Sequence, residues 1–240
     1  MEPHERIIFA LDFPALADAS KFLAHNDLFK HVGMVKIGLE LFIAAGPTAV
    51  ASMPNPVMLD LKIHDIPETV ERAVLRAGDL GIKFLTLHVQ QRETMRRAVK
   101  AAEKSGIQLL GVTVLTSMTD ADLHDFCIEG DTFKAVLGRA VLAYEEGITG
   151  FVTSPREAGF LRKGLGPKPL IVVPGIRPEG TASGDQARVG VPKMAIQDGG
   201  DFLVVGRPIR DAEDPIAMAD RIANEIGEAG PGYAASKEPA

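Results

Sequence analysis

Val57-Met58-Leu59-Asp60-Leu61-Lys62-Ile63-His64-Asp65 is an apolar run that ends in alternating charge. In a strand, residues two apart share a face. The alternation predicts Asp60 and Lys62 on one face and Leu59, Leu61 and Ile63 on the other. The aliphatic face suits packing under helices. The other carries a carboxylate and an ammonium into whatever the strand encloses. Buried charge is costly unless paired. Taken alone, an Asp-x-Lys pair fits a structural ion pair as well as a site.

Outward from this stretch, short apolar runs recur: Arg6–Leu11, Met34–Ile37, Pro56–Ile63, Phe84–His88, Gln108–Leu115, Gly150–Thr153, Leu170–Val173 and Phe202–Val205. Amphipathic stretches separate them: Ala15–His25, Glu40–Ser52, Thr69–Leu80, Glu93–Lys104, Thr132–Glu146 and Pro155–Lys163, with Pro215–Ile226 after the last run. Strand alternating with helix implies βα units and a parallel sheet. Eight runs and a closing helix predict an α/β protein, a (β/α)8 TIM barrel of one domain over residues 1–226. Residues 227–240, rich in Gly, Ala and Pro, are expected to form a flexible tail. An open doubly wound sheet is the competing fold. It usually carries a Gly-rich loop after its first strand, whereas the first run here ends in Asp12-Phe13-Pro14.

The length of 240 residues suits one such barrel, and a hydrophobic fraction of 46% supplies its core. The net charge of −6 argues weakly against nucleic acid as the main partner, although a local basic patch can still bind an anion. The one cysteine, Cys127, permits no internal disulfide and fits a reducing compartment. Met1-Glu2-Pro3-His4-Glu5-Arg6 lacks the regions of a signal peptide, and no apolar run approaches a membrane span. The expected location is the cytoplasm.

A barrel builds its active site from the C-terminal ends of its strands. Those positions hold Asp12, Lys36, Asp60 with Lys62 and then Asp65, Thr116-Ser117, Pro174-Gly175-Ile176-Arg177, and Gly206-Arg207. Lys36, Asp60, Lys62 and Asp65 alternate in sign, so each charge offsets the desolvation of its neighbours. Charges at the functional end of successive strands favour chemistry over a solvated rim. Gly206-Arg207, with a helix expected near Pro208, suggests a phosphate site. A helix cap beside a surface arginine reads the same way. The segment Arg177 to Val191 is long for a βα loop and suits a lid, with Gln186 offering an amide. Asp60, His64, Asp65 and His88 are possible metal ligands. Lys36 and Lys62 among them can neutralise the carboxylates instead, and no metal is expected.

Several elements of the chain, taken together, resemble orotidine 5′-phosphate decarboxylase. They are Ala10-Leu11-Asp12, Val35-Lys36-Ile37-Gly38, Asp60-Leu61-Lys62-Ile63-His64-Asp65-Ile66-Pro67 with Thr69, and Leu115-Thr116-Ser117-Met118. Pro174-Gly175-Ile176-Arg177-Pro178, Asp185-Gln186-Ala187-Arg188 and Val204-Val205-Gly206-Arg207-Pro208-Ile209 complete the set, which runs in order from Arg6 to Glu225. The Asp-x-Lys-x-x-Asp element is shared with a wider group that includes sugar-phosphate decarboxylases and aldolases. One departure follows the fourth run, where Gln90-Gln91-Arg92 stands in place of a Gly pair.

The resemblance implies loss of CO₂ from a pyrimidine nucleotide without metal or organic cofactor, in a homodimer with shared sites. It implies that Lys62 protonates carbon 6, with Lys36, Asp60 and Asp65 completing the catalytic set. It assigns Asp12 and Lys36 to the ribose, Thr116 and Ser117 to the pyrimidine, and Gly206 and Arg207 to the phosphate. Pro174, Arg177 and Gln186 line the pyrimidine and phosphate side, while Asp65, Ile66 and Thr69 come from the neighbouring subunit. The alternatives are a metal-dependent sugar-phosphate lyase or aldolase, a sugar-phosphate epimerase, and a silent phosphate-binding barrel.

Overall fold

The computed structural model describes residues 1–179 and 190–230. Eight parallel strands close in chain order into a barrel. They are β1 (Ile7–Ala10), β2 (Met34–Gly38), β3 (Val57–Ile63), β4 (Phe84–His88), β5 (Gln108–Val112), β6 (Gly150–Val152), β7 (Leu170–Val173) and β8 (Phe202–Val205). The helices are α1 (Leu16–Asn26), α2 (Leu39–Ala45), α3 (Pro47–Ala51), α4 (Pro67–Gly78), α5 (Arg92–Ser105), α6 (Asp120–Asp125), α7 (Thr132–Glu145), α8 (Pro155–Leu165), α9 (Pro192–Gln197), α10 (Arg207–Arg210) and α11 (Pro215–Gly227). Short 3₁₀ turns span Pro3–Arg6 and Leu28–Lys30. Among the described residues, no helix is long and apolar enough to cross a membrane.

Local chemistry sets the helix starts. Proline stands at the first turn of α4, α8 and α11, where its missing N–H costs nothing. Asp131 and Asp214 accept the free amides of Lys134 and Ala217 at the starts of α7 and α11. The stretch Glu40–Ser52 is two helices, not one. Gly46, at φ +58°, ends α2, and Pro47 begins α3 because its ring cannot continue the earlier helix. The fifth run stops at Val112 rather than Leu115. Its neighbour β6 has only three residues, and the Thr113 carbonyl accepts Arg139 at 2.7 Å.

Two apolar layers result. Ile8, Ala10, Met34, Met58, Phe84, Leu110, Val172, Phe202 and Val204 fill the barrel interior. Phe84 and Phe202 meet edge to face at 5.4 Å. The opposite strand faces, including Phe9, Val35, Leu59, Leu85 and Leu203, pack under the helices. Helix α4 contributes Val70, Val74 and Ala77, and α5 contributes Met95, Ala98 and Ala102, at the spacing of one helical face. The interior plug closes one end, so strand residues beyond it can face an open mouth.

Candidate active site

At that mouth the charged residues form a line. Lys36 Nζ donates to Asp12 Oδ1 at 2.9 Å and stands 3.7 Å from Asp60 Oδ2. Lys62 Nζ lies 2.8 and 2.9 Å from the two Asp60 oxygens. The order Asp12–Lys36–Asp60–Lys62 therefore alternates in sign across the ends of β1, β2 and β3. Gly38 makes room for it, since a Cβ there would meet Lys36 Nζ at 3.2 Å. Burial alone would lift the Asp60 carboxyl. The charges of Lys36 and Lys62, with hydrogen bonds from Lys62 and Thr86, outweigh it and hold Asp60 below its ordinary range.

Simple alternation predicted Asp60 and Lys62 on one face. The charges do meet, but through an irregularity. β3 slips against β4 between Leu59 and Ile63, and Lys62 takes φ +47°. A non-glycine residue in that region is uncommon and points to a functional constraint. Thr86, fully buried on β4, accepts the Lys62 amide and donates to Asp60, each at 2.9 Å. The sequence reading missed Thr86. Its one signal was a hydroxyl between Phe84 and His88 on the inward face of β4.

Two adjacent compartments open beside this line. One, of about 240 Å³, has Lys36, Asp60 and Lys62 against walls of Met58, Val112 and Val204, with Thr116 and Ser117 at its edge. The other, of about 190 Å³, lies between Asp12, Lys36, Pro174, Arg177, Gly206 and Arg207. Lys36, Pro174 and Val204 line both. The second compartment is predominantly basic. In the turn of α10 beside it Pro208 has no amide hydrogen, and the Ile209 and Arg210 amides already donate to the Gly206 carbonyl at 3.0 Å. Helix α10 has one turn, so side-chain charge outweighs any helix dipole there. A bridge between Ile176 and Gly190 closes the base of the long loop after β7, and the Arg177 amide donates to the Gly190 carbonyl at 2.9 Å. Gln186 lies outside the described residues.

Asp65, Ile66 and Thr69 do not join the line within one chain. All three are exposed, and Asp65 Oδ1 accepts the Ile66 amide at 2.7 Å. Ile66 is 64% exposed. The His64 and His88 rings lie 5.5 Å apart, tilted at 56° to each other. Burial and the nearby charges of His64, Lys62 and Arg139 push His88 below its usual range and favour the neutral ring. A larger hollow, of about 1000 Å³, adjoins the mouth between the end of β5 and helices α6 and α7. Met118, Phe126, Ile128 and Leu142 line it, and Ser117 belongs to both it and the charged compartment.

Together these features define a (β/α)8 barrel with a basic pocket beside a carboxylate held between two ammonium groups. The model of the orotidine 5′-phosphate decarboxylase / HUMPS family matches residues 5–222, and the chain belongs to that family. It is 48% identical over 226 residues to orotidine 5′-phosphate decarboxylase of Anaeromyxobacter dehalogenans, covering 93% of this chain and 99% of the relative. The enzyme of the same name from Geobacter sulfurreducens is 43% identical over 234 residues, 94% and 97% of the two chains. Orotidine 5′-phosphate decarboxylase from Lactobacillus acidophilus superposes with a TM-score of 0.81 at 33% identity, covering 92% of this chain and 98% of that one.

Proposed function

We propose that this protein is a carboxy-lyase that converts orotidine 5′-phosphate to uridine 5′-phosphate and CO₂ in pyrimidine synthesis. One observation carries the reading. Lys36 and Lys62 converge on the half-buried Asp60 in an apolar-walled compartment that adjoins a basic one. A pyrimidine suits the first and a phosphate the second, with the ribose bridging them at Lys36 and Asp12. Thr116 and Ser117 then face the pyrimidine edge, Gly206 and Arg207 bind the phosphate, Pro174 borders both compartments and Arg177 borders the phosphate one.

The bond to be broken lies in the plane of the ring, so its electrons cannot enter the π system when CO₂ leaves. Charge develops on carbon 6. A preorganised ammonium stabilises such charge far better in a dry site than in water. Lys62 fills that role and then donates a proton to carbon 6. Its ammonium has three N–H donors and lies 2.8 and 2.9 Å from the two Asp60 oxygens, so donor capacity remains beyond that carboxylate. Asp60 anchors the ammonium and borders the departing carboxylate. The aldolase alternative needs a metal on the carboxylates, but here both Asp60 oxygens already face ammonium groups.

The reading extends to a homodimer. Asp65, Ile66 and Thr69 project from the mouth unpartnered by the charged line, and the neighbouring hollow exposes Phe126 at 72%. A second copy offers both an apolar cover and an Asp65 for Lys62. A biosynthetic enzyme with Cys127 as a free thiol belongs in the cytoplasm.

The test follows loss of the substrate's ultraviolet absorbance with metal-stripped protein. Wild type consumes orotidine 5′-phosphate. Lys62→Ala stays folded, still binds uridine 5′-phosphate, and shows no turnover. Near-normal turnover in the variant sinks the proton-donor assignment, and an inert wild type sinks the activity.

A further inference from the structure

The irregularity in β3 has one side chain holding it together. The strands pair Leu59 with Leu85 and next Ile63 with Leu87, so β3 advances four residues while β4 advances two. The extra length carries Asp60 and Lys62, and it removes the Lys62 amide from the regular ladder. A half-buried amide there needs another acceptor. Thr86 Oγ1 supplies it at 2.9 Å, and the same hydroxyl donates to Asp60 Oδ1 at 2.9 Å. Asp60 Oδ1 also accepts Lys62 Nζ at 2.8 Å. A closed circuit runs from the Lys62 amide through the Thr86 hydroxyl and the Asp60 carboxylate to the Lys62 ammonium.

A hydroxyl has one proton. Pointing it at Asp60 leaves its lone pairs to the amide, so both bonds are directional and interdependent. The groups facing Asp60 are Lys36 from β2, Lys62 from β3 and Thr86 from β4, with Asp12 behind Lys36. Among the described residues, only Thr86 ties the Lys62 backbone to the carboxylate that aims its side chain.

We infer that Thr86 is a positioning residue, which fixes the left-handed Lys62 backbone and the Asp60 rotamer and thereby aims the Lys62 ammonium. It does not touch the reacting atoms. The inference rests on the decarboxylase reading for its kinetic consequence, whereas its structural consequence is independent of substrate.

The test compares Thr86→Val and Thr86→Ser. Valine keeps the β-branched shape and removes both hydrogen bonds, and serine retains both. For Thr86→Val, kcat falls by about tenfold or more, as expected for a lost bond to a charged group. KM and the affinity for uridine 5′-phosphate change by less than about threefold. Thr86→Ser recovers most of the loss. In parallel, the Asp60 carboxyl is titrated by carbon-detected NMR in substrate-free protein. Its midpoint rises in Thr86→Val and returns in Thr86→Ser, because removing a donor favours the protonated acid. Hydrogen exchange at the Lys62 amide accelerates in the valine variant alone. An unchanged Asp60 titration and Lys62 exchange in Thr86→Val overturn the inference, as does a kcat loss that serine does not restore. An inert wild type with the NMR changes present leaves the positioning intact and refutes only the decarboxylase reading.

Discussion

Asp60 concentrates the electrostatics of the site into one group. Its folded acid strength is set by a contest: burial favours the neutral acid, and two ammonium groups with two hydrogen bonds favour the anion and prevail. The linkage has a definite sign. An unfolded aspartate titrates near about 3.9, and folding lowers that value, so the unfolded chain binds the extra proton first. This contribution is complete above the unfolded value and disappears as the pH falls through the lower folded one. Thermal unfolding of wild type and Asp60→Asn between neutral pH and strong acid should therefore differ in slope. The wild type loses more stability on acidification below the ordinary carboxylate range, and parallel curves would show that Asp60 is not held as an anion. Asp60, Lys62 and Lys36 were legible in the sequence because alternation and strand ends put charge in an enclosed mouth. Thr86 was not, because its role depends on a slip of β3 against β4, and one threonine in an apolar strand carries no sign of its neighbour's register.

At the scale of elements, β8 and the single turn of α10 form the side of the mouth proposed to bind phosphate. Val205 ends the buried strand, Gly206 allows close approach of its backbone to Asp12, and Arg207 opens the turn beside Arg177. Arg207→Ala removes one charge-assisted contact, which typically costs about 1.5–3 kcal/mol. Affinity for uridine 5′-phosphate should fall on the order of ten- to a hundredfold, while affinity for the unphosphorylated nucleoside stays nearly constant. Calorimetric titration of both ligands decides it, and an equal loss for both contradicts the phosphate role. The sequence made β8, Gly206 and a helix start at Pro208 visible through an apolar run and a proline. It did not reveal how short α10 is, and so it suggested a helix dipole that one turn scarcely provides. Helices α6 and α9, six residues each, were missed for a related reason. So few residues present too little periodicity, although Thr119 and Asp122 form a reciprocal cap at the start of α6. The break at Gly46-Pro47 was legible in principle, and the apolar pattern continuing across it hid it.

The whole molecule is a closed barrel whose mouth looks unfinished in one chain. Lys62 has Asp60, but Asp65 lies out on the rim where, among the described residues, the Ile66 amide is its hydrogen-bond partner, beside exposed Ile66 and Thr69. The barrel could be read from the alternation of runs and helices, since each βα unit repeats a local pattern. Assembly was expected through the family resemblance alone, because exposure of the segment after β3 appears only once the chain is folded. A two-fold dimer buries one patch on both subunits and builds two equivalent shared sites. If Asp65 serves the neighbour's Lys62, then Lys62→Ala and Asp65→Ala are each inactive alone but complement each other. A mixed dimer holds one site with both lesions and one with neither. After free exchange of equal amounts, about half the dimers are mixed, so about a quarter of all sites are intact. Activity should return to about that fraction of wild type under conditions that exchange subunits, with mass spectrometry of the dimers confirming the mixture. Mixed dimers without activity would put Asp65 and Lys62 in the same subunit's site and refute the shared arrangement.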